Sequence, residues 1–304
     1  PELPGLEDPD DGVLQAVEDG QADYGVLARV HEPERDRHER LAGLVPDHAE
    51  RREDGPQALP TVDVQDHGAG GQHAEHPIGW LNRGMSIDIQ IWSDIACPWC
   101  FIGKARLKGA LALVKEKHPD VEFQISWLPY FLNPDTPKAG ESYRGYLESK
   151  FGGAKEVDRI QANVAEAGRD AGVEFRFDRI ATRPNTLRAH RLVYRVQSIG
   201  HHPDEVDALV ERLFVAHFQR GEDIGDIETL VGIAAEGGED KEDIAEFLAS
   251  NESEQQVRSL VDKVGKLGVT GVPFFIFQRR MAVSGAQSSA ALAAAIMQSM
   301  QPAA

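Results

Sequence analysis

Two cysteines, two residues apart, are the only thiols in a chain of 304 residues. They lie in Ser93-Asp94-Ile95-Ala96-Cys97-Pro98-Trp99-Cys100-Phe101-Ile102-Gly103-Lys104, directly after an apolar stretch. Two thiols at this spacing can cycle between dithiol and disulfide, provided one of them is held as a thiolate. A helix beginning at Pro98 supplies that condition. Its first N–H groups have no partners within the helix, and the positive end of its dipole faces Cys97. Proline suits the first helical position, because the N–H it lacks would be orphaned there. The expected chemistry gives each residue a role. Cys97 attacks a disulfide and forms a mixed disulfide; Cys100, the less exposed of the two, then attacks Cys97 and releases the reduced substrate. Run backward, the same steps insert a disulfide. Pro98 and Trp99 lie between the sulfurs and belong to the docking surface. A zinc site would need two further ligands, and neither a second CxxC nor a nearby histidine pair supplies them, so no metal is expected.

The elements that must position this pair can be read on either side of it. Ile87, Ile89 and Ile91 alternate with Asp88 and Gln90, the period of a strand ending near Trp92. A helical pattern follows from Pro98 to Lys117, carried by Ile102, Ala105, Leu107, Leu111 and Val114, and His118-Pro119 ends it. Val121–Tyr130 reads as a second strand. Residues 140–267 then read as almost all helix. The predicted segments are Tyr143–Phe151, Lys155–Ala171, Asn185–Ser198, Asp204–Gln219, Ile227–Glu236, Lys241–Ala249 and Ser253–Leu267, separated by glycine and proline turns. The end returns to strands at Val272–Phe277 and Met281–Val283 and closes with an alanine-rich helix, Ser289–Met300. The order is βαβ, a helical block, then ββα.

Residues 1–84 differ in kind. They contain no Lys, Phe, Cys, Met or Ser, and they hold 6 of the 11 histidines. They carry 19 acidic and 7 basic residues, which accounts for most of the net charge of -18. So little apolar surface does not offset the entropy of ordering, and the segment reads as disordered or as sequence upstream of a start at Met85. Its His73 and His76 read as a solvated pair, since nothing completes a metal site around them. The acidic balance argues against nucleic acid as a partner. No apolar run reaches the ~18–20 residues that cross a bilayer. With two cysteines there is no disulfide framework, and the expected compartment is a reducing cytoplasm.

A second feature points the same way as the CxxC. Gly271-Val272-Pro273-Phe274-Phe275 sets a proline at the head of an apolar strand, where the missing N–H is tolerated. With a CxxC unit upstream and a ββα ending, a cis proline here would face the two sulfurs. Val272 would then offer its N–H and C=O to an extended substrate peptide, so Val272 and Pro273 join the candidate substrate-binding residues.

Together, DIACPWCFIGK, Phe131-Leu132-Asn133-Pro134, Asn185-Thr186 with Ala189-His190-Arg191-Leu192, GVTGVPFFIF and Ser284-Gly285-Ala286-Gln287 resemble the DsbA-like oxidoreductases of the FrnE type. The resemblance implies an α/β thioredoxin fold with an all-helical domain inserted between the CxxC half and the cis-proline half. On this chain that division is 85–138, 139–268 and 269–304, preceded by the extension 1–84. It implies Cys97 as nucleophile, Cys100 as resolving thiol, and protein or small-molecule disulfides as substrates. No cofactor is implied; glutathione is admitted as a co-substrate and a homodimer as an assembly. The chain is also similar to 2-hydroxychromene-2-carboxylate isomerases and kappa-class glutathione transferases, which generally carry serine where Cys97 stands. That gives the alternative of a glutathione-dependent isomerase or transferase. His190 reads first as a core or capping histidine, with an approach to the thiols from the inserted domain as the alternative, and Asp94 as a turn residue or proton carrier.

Overall fold

A computed structural model describes residues 86–301. The readings on residues 1–84 and on Met85 fall outside that range. Strand β1 (Ser86–Ser93) runs through the middle of a four-stranded sheet. It pairs in parallel with β2 (Glu122–Pro129) on one side and antiparallel with β5 (Phe274–Phe277) on the other; β6 (Met281–Ser284) completes the order β2-β1-β5-β6. A central strand is covered on both faces, which is why Gln90 is buried along with the isoleucines. The crossover from β1 to β2 is helix α1 (Pro98–Lys117), and the C-terminal helix α9 (Ser289–Ser299) packs along it. The two are tied by Ser289 Oγ, which donates to the Arg106 carbonyl at 2.8 Å.

The helical block contains α2 (Tyr143–Phe151), α3 (Ala154–Asp170), α4 (Leu187–Ser198), α5 (Pro203–Val215), α6 (Ile227–Ala235), α7 (Lys241–Ala249) and α8 (Glu254–Lys266). These match the helices read from periodicity to within two residues, except at the end of α5. There the predicted helix Asp204–Gln219 stops at Val215, and the chain continues as a π-helical turn, Ala216–Arg220. This turn buries Ala216, His217 and Phe218 in succession. A short ladder between β3 (Glu141–Ser142) and β4 (Thr182–Arg183) is also present; two residues are too few to show a period.

The block is held to the sheet half by three devices. Phe101, the residue after Cys100, stacks on Phe214 of α5 with ring centroids 5.1 Å apart and lies 6.0 Å from Phe175. A large side chain so buried contributes about 1.5–3 kcal/mol, with up to about 1.5 more per ring pair. Lys104 of α1 is buried and reaches Asp207 at 2.7 Å and Glu211 at 2.8 Å, both on α5. Finally, Gln197 of α4 clasps the outer edge of β2. Its Oε1 accepts from the Trp127 N–H and its Nε2 donates to the Trp127 carbonyl, each at 2.8 Å. Within the block, buried Arg191 donates to the carbonyls of Phe247, Ser250 and Glu252 at 2.7–2.9 Å, neutralising the negative end of α7.

Candidate active site

The segment between β1 and α1 makes one tight turn. The Cys97 N–H donates to the Asp94 carbonyl at 3.0 Å, and Cys97 then stands as the N-cap of α1 with extended backbone angles (φ -95, ψ 114). Pro98 occupies the first helical position as expected. The Cys100 N–H turns back to the Cys97 carbonyl at 3.1 Å. The two cysteines form a dithiol whose sulfurs are hydrogen-bonded to each other.

Neither cysteine is open. Cys97 is 0% exposed and Cys100 1% exposed, so the expected difference in exposure between the two is absent. Pro98 and Trp99 reach the surface in part, whereas Val272 and Pro273 are buried. The Cys97 thiol donates to the Val272 carbonyl at 3.8 Å. That carbonyl was expected to be available to a substrate strand; in the dithiol it serves the sulfur instead. Loss of the thiol proton removes the donor and releases the carbonyl. The Val272–Pro273 peptide is cis. Pro273 cannot extend the ladder, so β5 starts at Phe274 and not at Val272, and the Pro273 carbonyl is instead bonded by the Gly285 N–H at 2.8 Å. The Pro273 ring rests on α1 at Gly103, where any side chain would collide with it.

Burial pushes the Cys100 thiol well up, and the hydrogen bond and charge of Cys97 push it further; the Ser93 hydroxyl and the Asp94 backbone pull it partly back. Cys100 is therefore held protonated at neutral pH, as a resolving thiol awaiting a base. Asp94, fully enclosed, fastens two segments. Its Oδ1 accepts from the Ala96 N–H at 3.2 Å and its Oδ2 from the Leu132 N–H at 2.8 Å. It is thus a turn residue in the CxxC loop and an anchor for the Phe131–Leu132 segment at once.

Three residues from outside the loop complete the surroundings; the sequence offered an approach to the thiols only for His190, behind its core or capping reading, and gave Tyr130 and His217 no role there. His190, from α4, is buried with Nε2 at 3.5 Å from Asp94 Oδ1 and its ring 5.5 Å from that of Phe131. Tyr130, just past β2, has its hydroxyl proton held more tightly than usual by burial and then by the charges of Asp94 and Cys97. His217, from the π-turn, is fully enclosed. Burial pushes its pKa down to about 4, against opposing effects from the Glu222 carbonyl and the Asp94 charge. The signal available in sequence was small: His190 occupied an apolar helix face, which most often means a core position.

Comparison with known proteins agrees with this geometry. The family model for the DSBA-like thioredoxin domain matches residues 88–297. A probable DsbA oxidoreductase from Streptomyces coelicolor superposes with a TM-score of 0.62 at 30% identity, covering 72% of this chain and 93% of that one. A putative protein disulfide isomerase from Nitrosomonas europaea shares the fold, with a TM-score of 0.54 at 16% identity over 70% of this chain and 97% of its own. The uncharacterized protein YwbO of Bacillus subtilis (strain 168) is 28% identical over 195 residues, 63% of this chain and 87% of that protein.

Proposed function

The chain belongs to the DSBA-like thioredoxin domain family, and from that premise we propose that it is a thiol–disulfide oxidoreductase of the FrnE type, working through Cys97 and Cys100. The observation that carries the reading is the position of Cys97. It caps α1, its sulfur lies against the Val272 carbonyl at 3.8 Å, and Cys100 is hydrogen-bonded to it. Once deprotonated, Cys97 attacks a substrate disulfide; the Val272 carbonyl, relieved of its thiol donor, pairs with the substrate backbone. Cys100 then attacks the Cys97 sulfur and the substrate leaves reduced. The proposed substrates are protein or small-molecule disulfides, with glutathione as electron donor in a cytoplasmic setting. The isomerase or transferase alternative needs a single group at position 97, and a second thiol against the first has no task in it.

The test is turnover of insulin disulfides with glutathione as reductant, by the wild type and two variants. Cys97→Ser should fall to background. Cys100→Ser should stall as a mixed disulfide visible by its added mass. Equal rates for the wild type and Cys97→Ser would overturn the reading.

A further inference from the structure

Beside the dithiol, His190 Nε2 closes no hydrogen bond, and Ser93 Oγ has none beyond its contact with the Cys100 thiol. Both residues line one small cavity, together with Ile95, Trp127, Pro129 and Tyr194. Leaving such atoms unpaired costs about 1–3 kcal/mol each. Because both border this cavity, one hydrogen-bonding occupant could serve both, and the space suits a single water.

This cavity lies between two groups that need a proton connection. On one side the Ser93 hydroxyl borders Cys100, where it favours the thiolate. On the other, His190 Nε2 stands 3.5 Å from the Asp94 carboxylate. Cys100, enclosed and protonated, must lose its proton at the moment it attacks, and solvent does not reach it.

We propose that Ser93, one water in this cavity and His190 form a proton relay for Cys100 in the resolving step, with Asp94 positioned to hold the imidazolium. The relay rests on the dithiol reading above. In the step, Ser93 Oγ takes the proton from the Cys100 sulfur and passes its own to the water, which passes one to His190 Nε2. The Cys100 thiolate attacks the Cys97 sulfur of the mixed disulfide. The Cys97–substrate S–S bond breaks, and its electron pair leaves on the substrate sulfur, which is protonated from solvent. A Cys97–Cys100 disulfide forms, so two electrons pass from the dithiol to the substrate. His190 returns its proton along the same path when the disulfide is reduced again.

Asp94 faces His190 from the loop, and Tyr194 of the same helix lines the same cavity. Tyr130, beyond β2, and His217, from the π-turn, both lie within the field of Asp94. Helix α5 brings Val210 to the cavity and β2 brings Trp127 and Leu128. Arg191, the next residue of α4, is turned to the α7 carbonyls, with Glu254 of α8 in its field.

The relay is tested by mixing the reduced full chain with one equivalent of dithiobis-nitrobenzoate and following thiolate release by stopped flow across pH. The first release reports attack by Cys97, the second attack by Cys100. In Ser93→Ala and His190→Gln, the ratio of second- to first-release rates should fall roughly 10–100-fold at neutral pH. The alkaline rise of the second phase should move to higher pH. A ratio and profile for Ser93→Ala that match the wild type would overturn the relay, whether or not His190→Gln folds. A wild type that releases no nitrobenzoate thiolate would instead overturn the dithiol reading beneath it.

Discussion

A Cβ on Gly103 would lie 2.8 Å from Cγ of the Pro273 ring and 3.3 Å from its Cβ. The helix that carries the cysteines and the proline that faces them are thus in direct contact, through a residue chosen for having no side chain. Glycine inside a helix ordinarily costs about 0.5–1 kcal/mol relative to alanine. Here the opposing effect is larger, because a proline ring cannot rotate out of the way.

Gly103→Ala is therefore expected to lower stability by roughly 1–2 kcal/mol. An overpacking cost of about 1–3 kcal/mol is only partly offset by the gain in helix propensity. Denaturant midpoints measure the stability. The rate of Cys97 with a small disulfide should fall in the same variant, since Pro273 and Val272 shift together against the sulfur. A variant as stable and as fast as the wild type would show that the contact positions nothing.

The enclosed Cys100 thiol predicts an alkaline weakness of the reduced protein. Its acidity in the fold is suppressed, chiefly by burial. A free cysteine loses its proton near pH 8.5, so above that value the unfolded chain releases a proton that the native state retains. Stability contributed by this group is whole below about pH 8.5 and declines above it by up to about 1.4 kcal/mol per pH unit. Tyr143, held up to about 12 by burial, and Tyr130 add to the decline only above the ordinary tyrosine range near pH 10. Between about pH 8.5 and 10 the slope should therefore vanish in Cys100→Ala, as read by denaturant titrations of the reduced protein.

His217 predicts the opposite limb. Its pKa in the fold is about 4, pulled down by burial, while an unfolded histidine titrates near 6.5. Below about pH 6.5 the unfolded chain takes up a proton that the native state refuses, so stability is whole above that pH and is lost as pH falls towards 4. The loss from this one group is on the order of 3 kcal/mol. Thermal melts from pH 7 to 4 should show the fall, and His217→Gln should flatten it. An acid limb of unchanged depth in that variant would place the sensitivity elsewhere.

What could be read before the fold was known follows the distance over which each signal acts. The CxxC and the helix started by Pro98 are statements about neighbouring residues, and each lies where the sequence placed it; the strand read from Val272 begins two residues later, at Phe274. The helical block was legible because its apolar periods are long. The surroundings of the sulfurs were not. Asp94 meets Leu132 and His190, and Ser93 shares a cavity with His190, across separations of about 40 to 100 residues that no local period encodes. Lys104 misleads for a related reason. A lysine in a helix reads as solvated, and only the arrival of Asp207 and Glu211 from α5 makes its burial tolerable. The π-turn was invisible because it changes the register of a helix without changing its composition.

The clasp of Gln197 on Trp127 has a bearing beyond packing. An exposed outer strand offers its main chain to any extended polypeptide. With both hydrogen-bonding groups of Trp127 already taken by one side-chain amide, a foreign strand cannot zip onto the sheet at that point. One side-chain amide thus guards the flank between the charge of Glu122 at the head of the strand and the proline, Pro129, at its end.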